Sequence, residues 1–282
     1  MVSIMILSKL IKIAYKNDGV ISAYVYGDFG YGKTSYALWT AYEVLGRWDR
    51  VLDYLFFDPF EAVKVMERVI SRDERLPIII MDDAGLCLDK MTWWESSKVA
   101  FMEFFNLIRS VTAGIIFTTP SEELPKQILN KSFFRIAITP ISIPKVMSMG
   151  RNVYEKAMEL VERFGLEKRF CLATGYKLKT LPSFYSIVKK EFYDVYPQWY
   201  PIYKQYSRKR RKALKIYFER WRSRLKEDSK DRESLFLMAK DMIEQGCDKY
   251  EVARELMKRG IPRTTAYRWI KKLATIEQEM KI

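Results

Sequence analysis

The stretch that decides the fold is Gly27-Asp28-Phe29-Gly30-Tyr31-Gly32-Lys33-Thr34-Ser35. It matches the phosphate-binding loop pattern of Gly, four residues, then Gly-Lys-Ser/Thr, which joins a strand to a helix. Glycines let backbone N–H groups converge on phosphate oxygens, and the positive end of the following helix favours the anion. We therefore expect residues 27–35 to bind a nucleotide, with Lys33 at its β- and γ-phosphates. An ordinary glycine-rich turn is the alternative.

Two carboxylates follow an apolar run further along the chain, at Asp82 and Asp83. A nucleoside triphosphatase with this loop also needs an acidic residue at the end of a buried strand, opposite the loop hydroxyl, to hold Mg²⁺. The spacing predicts Thr34 and Asp82 as the Mg²⁺ ligands and Asp83 as the catalytic residue that polarises the attacking water. Capping of the next element by the acid pair is the alternative.

The next apolar strand ends in two hydroxyls, Thr118 and Thr119, before Pro120. A polar side chain at this place can contact the γ-phosphate or orient the attacking water. Thr119 is the candidate for that catalytic role and Thr118 the alternate. A threonine pair that starts the turn before the proline explains the same residues equally well.

Arg135 opens the last strand of this region and is the candidate for an arginine finger that reaches the site of a neighbouring subunit. Lys131 and Arg109 compete for the same role. Surface arginines are common, so the position alone does not separate the three.

Short apolar runs alternate with amphipathic ones over the first 140 residues, which predicts an α/β fold with a parallel sheet between helices. The predicted strands are Ser22–Tyr26, Leu52–Phe57, Ile78–Asp82, Ile115–Thr119 and Arg135–Thr139. The predicted helices of this part are Lys33–Leu45, Phe60–Ser71, Ser97–Arg109 and Ser121–Leu129. Beyond it we expect a helix at Asn152–Phe164, one or two strands in Arg169–Leu181, a helix at Ser207–Lys230 and three short helices in 232–282.

Three features follow one another along the chain: the phosphate-binding loop, a strand that ends in the acid pair, and a strand that ends in the threonine pair. In this order the sequence resembles the additional-strand P-loop ATPases, particularly AAA+ replication initiators and helicase loaders. The resemblance covers residues 20–140. It implies the strand order 5-1-4-3-2, ATP as ligand and a homo-oligomeric ring or filament. After Thr139 no helical lid is identifiable, and Arg151 or Arg163 is only a proposal for its sensor arginine. A packaging- or assembly-type ATPase with the same core is therefore the alternative.

The net charge differs between the two halves of the chain. Residues 1–150 carry 17 Lys+Arg and 17 Asp+Glu, so residues 151–282 hold the remaining 32 and 18 and all of the +14. Such asymmetry favours a polyanion-binding module, with nucleic acid as the commonest intracellular polyanion, over a merely solvated basic surface. Three scattered cysteines and the absence of histidine argue against a zinc site or a disulfide framework. Apolar runs are too short to cross a membrane, so we expect a cytoplasmic protein.

The C-terminal part carries the pattern of a helix-turn-helix, in which a second helix enters the DNA major groove. Apolar residues around Val252–Leu256 and Ala266–Ile270 form two faces, separated by Gly260 and Pro262. The predicted DNA-binding residues are Arg263, Thr264, Thr265, Tyr267 and Arg268. A helical hairpin used for packing or oligomerisation is the alternative.

Two further segments have two interpretations each. The basic run 208–212 either follows DNA phosphates and links the domains or is a solvated helix face. The aromatic residues of 184–206 either stack on bases or, as we expect, pack against the ATPase domain. The predicted domains are an ATPase core at 1–145, its extension at 146–206, a basic linker helix at 207–231 and a helix-turn-helix at 232–282.

Together these features predict an ATP-hydrolysing, Mg²⁺-dependent protein that binds double-stranded DNA, of the replication-initiator or helicase-loader type. A motor for DNA packaging or transfer is the second interpretation, and an ATP-switched transcription or partition regulator is the third. By resemblance and composition, the source is an archaeal virus or plasmid.

Overall fold

The computed structural model describes residues 5–84, 101, 103, 105–120, 128, 132–180 and 186–279. It divides into two compact units, Met1–Ala213 and Leu214–Ile282. The helix predicted at Ser121–Leu129 and most of the one at Ser97–Arg109 lie outside the described residues. No helix in the part of the chain that the structure describes is long and apolar enough to span a membrane.

The first unit is built on a sheet whose strands alternate with helices as far as the fifth strand. The strands are β1 Ile21–Tyr26, β2 Leu55–Phe56, β3 Ile79–Met81, β4 Gly114–Thr119, β5 Phe134–Ile141, β6 Phe170–Thr180 and β7 Ser186–Pro197. Their order across the sheet is β2-β3-β4-β1-β5-β6-β7. Strands β1 to β5 are parallel, whereas β6 and β7 are antiparallel. The fold is therefore α/β with a mostly parallel sheet, and the order 5-1-4-3-2 is contained in it.

One predicted strand differs from the observed one, and one observed strand was not predicted. The second strand was predicted at Leu52–Phe57, but Trp48–Tyr54 form a 3₁₀ helix and only two residues remain in β2. The strand predicted near residues 169–181 pairs with a second strand, β7, inside the aromatic segment. In β7, Phe192 and Asp194 are buried while Tyr193 between them is exposed, as expected for a strand with one face on the core.

Helices cover both faces of the sheet. The helices of the first unit are α1 Ile6–Lys16, α2 Lys33–Leu45, α3 Pro59–Ile70, α4 Ile108–Val111, α5 Ile143–Ser148, α6 Arg151–Phe164 and the beginning of α7 Tyr203–Glu244. Side chains of β1 alternate between two core clusters: Val25 belongs to the cluster that contains Trp39 of α2, and Tyr24 to the cluster that contains Met66 of α3. The continuous apolar character of β1 and β4 follows from this burial on both faces.

The second unit is helical. Its core joins Val252 and Leu256 of α8 (Lys249–Lys258) to Ala266 and Ile270 of α9 (Arg263–Glu279). Residues 232–282 contain three helical stretches, as predicted, but the first of them is the continuation of α7, which has 42 residues. The sequence from 207 to 244 contains neither Gly nor Pro, so nothing in it ends the helix.

A buried acid, Asp194 of β7, ties α1 and α2 to the sheet. Its side chain is 2% exposed. Its oxygens accept hydrogen bonds from the Ile6 backbone N–H at 2.7 Å and from the Tyr36 hydroxyl at 2.8 Å. Burial raises the pKa of Asp194 from 3.8 to about 6, although both hydrogen bonds oppose that shift. The helix that follows the phosphate-binding loop is thus anchored through a group that binds a proton.

The raised pKa predicts that the protein is more stable at mildly acidic pH. The folded state binds the Asp194 proton more tightly than the unfolded state, so the stabilisation is complete below about pH 4 and is lost as the pH rises through about 6. Relative to Asp194→Asn, the free energy of unfolding of the wild type should fall by up to about 3 kcal/mol over this interval. Urea unfolding at several pH values measures it, and parallel profiles for the two proteins would contradict the assignment.

Candidate functional site

Residues 27–32 connect the carboxyl end of β1 to the amino end of α2, and Lys33 to Ser35 form the start of that helix, in the predicted order of strand, loop and helix. Gly27 and Gly32 have φ angles of +146° and +94°, which residues with a side chain rarely adopt. A Cβ atom on Gly27 would lie 2.7 Å from the Ile138 carbonyl oxygen, and one on Gly32 would lie 2.9 Å from Cys171 Sγ. Both positions therefore require glycine for conformation and for space.

The ammonium group of Lys33 lies inside this loop. Lys33 Nζ donates to the carbonyl oxygens of Gly27 and Asp28, each at 2.8 Å. Only 8% of the residue is exposed. Burial lowers the pKa of Lys33, and the neighbouring carboxylates, Asp83 first and then Asp82, oppose that shift. A cation is thus fixed at the position that the loop pattern assigns to it.

Three more loop carbonyls accept hydrogen bonds from β6 and from the end of β7. The pairs are Gln198 Nε2 to the Gly30 carbonyl at 2.8 Å, Cys171 Sγ to the Tyr31 carbonyl at 3.1 Å, and Tyr196 Oη to the Gly32 carbonyl at 3.1 Å. Burial raises the pKa of the Cys171 thiol to about 12, so it stays protonated and able to donate. In a trans peptide the N–H points opposite to the preceding carbonyl. Holding these carbonyls therefore fixes the directions in which the N–H groups of Gly32 and Lys33 point.

The carboxylate of Asp82 is completely buried at the end of β3 and accepts three hydrogen bonds. Thr34 Oγ1 and Thr118 Oγ1 donate to its Oδ1 at 2.9 Å and 2.5 Å, and Tyr206 Oη donates to its Oδ2 at 2.7 Å. Burial and the negative charge of Asp83 raise the pKa of Asp82, whereas these hydrogen bonds oppose the rise. The structure thus places Thr34 and Asp82, the two predicted metal ligands, in direct contact.

Asp83 has the left-handed backbone conformation, with φ of +50°. Its N–H donates to Thr118 Oγ1 at 3.1 Å, and its Oδ2 lies 2.6 Å from Nη2 of Arg210 on α7. Aspartate adopts this conformation more readily than most residues, and Asp18 and Asp73 have it as well. The Thr118 contact and the Arg210 ion pair thus fix the residue that is predicted to polarise water.

Thr118, the alternate candidate, is the threonine whose hydroxyl contacts the acid pair. The role predicted for Thr119, contact with the γ-phosphate or with the attacking water, stays a prediction. Successive strand residues point to opposite faces of the sheet. Thr118 and Thr119 are both buried. A strand that is buried on both faces lacks the alternation of polar and apolar residues that would show, from the sequence, which threonine faces the acid pair.

The predicted arginine fingers lie away from the acid pair within this chain. Arg135 is in β5, in register with Tyr24 in the body of β1, and its role towards a neighbouring subunit stays a prediction. Arg109 Nε donates to the Asp18 carbonyl at 2.7 Å, before the amino end of β1, whereas the loop follows the carboxyl end. Lys131 lies outside the described residues.

A cleft of about 260 Å³ runs from the loop to the beginning of α7. It contains two cationic side chains, Lys33 and Arg210, and one acidic one, Asp83. The other residues that line it are Phe29, Gly30, Gly32, Thr34, Ser35, Gln198, Trp199, Tyr200, Tyr203 and Tyr206. Of the predicted loop residues, Phe29, Gly30, Gly32 and Lys33 to Ser35 thus face this space.

The side of the cleft opposite the loop is formed by residues between 198 and 210, which were predicted to belong to an aromatic packing segment and to a basic linker. Packing is confirmed for Tyr200 and Tyr206, which are both 5% exposed in the core of the first unit. The basic run 208–212 is not wholly a solvated face or a linker, because Lys209 Nζ donates to the Leu52 carbonyl at 2.6 Å and Arg210 pairs with Asp83. No local motif marks Gln198, Tyr206 or Arg210.

The predicted DNA-binding residues occupy the start of α9 in the second unit. Arg263, Thr264 and Arg268 are exposed, while Thr265 and Tyr267 are partly exposed. The chain reaches them through Gly260, whose φ is +86°, and Pro262, whose carbonyl accepts the Thr265 N–H at 2.9 Å. Arg263, Thr264 and Arg268 therefore face solvent, whereas Tyr267 also packs against the core of this unit. DNA contact by these residues stays a prediction.

Comparison of the sequence with family models gives no match. Among curated proteins, the chain is 37% identical over 149 residues to "Uncharacterized protein B-251" of Sulfolobus spindle-shape virus 1, covering 48% of this chain and 59% of that protein. It is 31% identical over 123 residues to "Uncharacterized protein ORF286" of Acidianus two-tailed virus, covering 39% and 43%. The chain thus spans about half the length of the curated relatives it matches, and both relatives are archaeal viral proteins.

Among solved structures, the chain is similar to the genome packaging NTPase B204 from Sulfolobus turreted icosahedral virus 2 in complex with AMPPCP. The identity is 12% and the TM-score 0.31, over 61% of this chain and 98% of that one. It is also similar to the flagellar accessory protein FlaH from Methanocaldococcus jannaschii, with 14% identity and a TM-score of 0.32, over 67% and 97%. Similarities at these TM-scores establish neither a common fold nor a common activity. The proposed function rests instead on the geometry of this chain.

Proposed function

We propose that the chain is a Mg²⁺-dependent ATPase whose turnover is coupled to double-stranded DNA. The observation that carries the ATPase part is the 2.9 Å contact between Thr34 Oγ1 and Asp82 Oδ1 beside a loop that already holds the Lys33 ammonium. A hydroxyl and a carboxylate form the all-oxygen set that Mg²⁺ prefers. The residues present therefore fit a magnesium nucleotide.

In this proposal the chain supplies charge and position. Lys33 and the loop N–H groups bind the β- and γ-phosphates, and Thr34 and Asp82 hold the metal, which when bound neutralises phosphate charge. Asp83 orients a water molecule and accepts its proton as the water oxygen bonds to the γ-phosphorus. The bond from that phosphorus to the β–γ bridging oxygen breaks, which leaves ADP and inorganic phosphate.

The second unit is the proposed DNA-binding part. Residues 214–282 carry 17 Lys+Arg and 12 Asp+Glu, a net charge of +5, and the exposed start of α9 presents Arg263 and Arg268. Arginine forks onto guanine or phosphate oxygens, and threonine contacts phosphate or a thymine methyl group. We propose that α9 enters the major groove with Arg263, Thr264, Thr265, Tyr267 and Arg268 as the contact residues.

Of the specific roles, a motor for genome packaging or DNA transfer has one structural observation in its favour. The initiator resemblance implies a helical lid after the fifth strand, whereas this chain has two connecting helices, of 6 and 14 residues, and then extends the sheet with β6 and β7. The viral origin of the sequence relatives agrees with such a role. A replication initiator or helicase loader, and an ATP-switched regulator, are the other candidates; each, like the motor, is proposed to act as a homo-oligomer.

Steady-state ATP hydrolysis with and without duplex DNA, together with footprinting, tests the proposal. We expect Mg²⁺-dependent turnover that duplex DNA accelerates. A motor should bind duplexes uniformly, with affinity that falls steeply with salt, and should displace a roadblock in one direction. A discrete protected site without translocation would support the initiator or the regulator. A rate of ATP hydrolysis that is the same with and without duplex DNA at low salt would contradict the proposed coupling.

A further inference from the structure

Arg210 is a cationic side chain of the cleft that the proposed chemistry leaves without a role. It lies on α7, one helical turn after Tyr206, and both reach the acid pair. Arg210 Nη2 is 2.6 Å from Asp83 Oδ2, and its side chain is 46% exposed. The ion pair therefore borders open space beside Lys33, where the triphosphate is proposed to bind.

The ion pair opposes the role proposed for Asp83. A carboxylate oxygen that accepts a hydrogen bond from a guanidinium has fewer electron pairs free for a water molecule. The γ-phosphate of ATP carries more negative charge than a carboxylate and offers several oxygens in a geometry that suits a planar, forked donor. It is therefore a stronger partner for Arg210 than Asp83 is.

We propose that Arg210 is a catalytic residue that leaves Asp83 and binds the γ-phosphate when ATP enters, and that it thereby distinguishes ATP from ADP. The exchange frees Asp83 at the moment when a water molecule must be oriented, and ADP cannot drive it because it lacks the third phosphate. This inference rests on the proposed ATPase function and adds to it a residue that selects the triphosphate.

The start of α7 is held in place independently of the ion pair. Tyr206 Oη donates to Asp82 Oδ2 at 2.7 Å, and Lys209 Nζ donates to the Leu52 carbonyl at 2.6 Å. Both residues precede Arg210 in sequence, by four positions and by one, and they anchor the helical turn that leads to it. The guanidinium is thus free to change partner by side-chain rotation while the helix stays in position.

Binding of a non-hydrolysable ATP analogue and of ADP, each with Mg²⁺, tests the exchange by calorimetry on the full chain. In Arg210→Ala, the preference for the triphosphate should fall by about ten-fold or more while ADP affinity stays the same. Arg211→Ala removes an exposed neighbouring arginine and should leave the preference unchanged. An unchanged preference in Arg210→Ala would overturn the inference.

Asp83→Asn provides a second test that keeps Arg210 and weakens only its competing partner. The exchange predicts tighter binding of the triphosphate analogue, unchanged ADP binding and loss of turnover. Removing the Asp83 charge also reduces its repulsion of the γ-phosphate, so the gain is compared with that of Asp83→Asn in the Arg210→Ala background. An equal gain without Arg210, or no gain at all, would overturn the inference. A wild-type protein that binds neither nucleotide would instead refute the proposed function itself, so the two failures are distinguishable.

Discussion

Replacing Lys33 with alanine is expected to abolish ATP turnover while DNA binding by the C-terminal unit is retained. The substitution removes the buried cation that is proposed to bind the β- and γ-phosphates, together with its hydrogen bonds to the Gly27 and Asp28 carbonyls. Removing one preorganised donor from a developing charge typically costs about 10²–10³-fold in rate, so the residual rate should be at background. Phosphate release under saturating Mg²⁺-ATP measures the effect.

The matched control is Lys16→Ala, which removes an exposed lysine at the end of α1. It should hydrolyse ATP at the wild-type rate. Circular dichroism and duplex binding show whether Lys33→Ala is folded. Wild-type hydrolysis by the folded Lys33→Ala protein would refute the assignment of the site.

The double substitution of Arg263 and Arg268 by alanine is expected to remove most of the DNA affinity. Both side chains are exposed at the start of α9. A bidentate arginine contact contributes about 1–3 kcal/mol, so losing two should weaken binding by about 10²-fold or more and reduce its salt dependence. Fluorescence anisotropy with a labelled duplex at several salt concentrations measures both quantities.

Arg72→Ala is the control, because it removes one exposed arginine from the first unit. ATP turnover without DNA should be the same in all three proteins.

Deleting residues 232–282 is the larger version of the experiment and should eliminate sequence-selective binding. Selectivity that survives the deletion would reassign recognition to the basic segment 207–231.

The parts of the site that follow from local spacing could be predicted from the sequence. Gly27, Lys33 and Thr34 are close in the chain, and a loop between a strand and a helix has one common geometry for them. Asp82 was predictable because an acid after an apolar run marks the carboxyl end of a parallel strand. Parallel strands bring such ends to one edge of the sheet, and the structure places the acid beside the loop.

The wall that faces the loop could not be predicted in the same way. Gln198 and Gly30 are 168 residues apart, and Tyr206 and Asp82 are 124 apart. Both contacts depend on β6 and β7 adding to the edge strand β5, a pairing for which the sequence carries no local pattern. Arg210 shares a run of like charges with its neighbours, and only the fold separates it from them.

The central claim is that the loop at residues 27–35 binds a magnesium nucleoside triphosphate. Calorimetric titration of the intact protein with a non-hydrolysable ATP analogue and Mg²⁺ tests this claim most directly. The account predicts saturable binding at one site per chain that Lys33→Ala loses. A folded wild-type protein that takes up no magnesium nucleotide would contradict it.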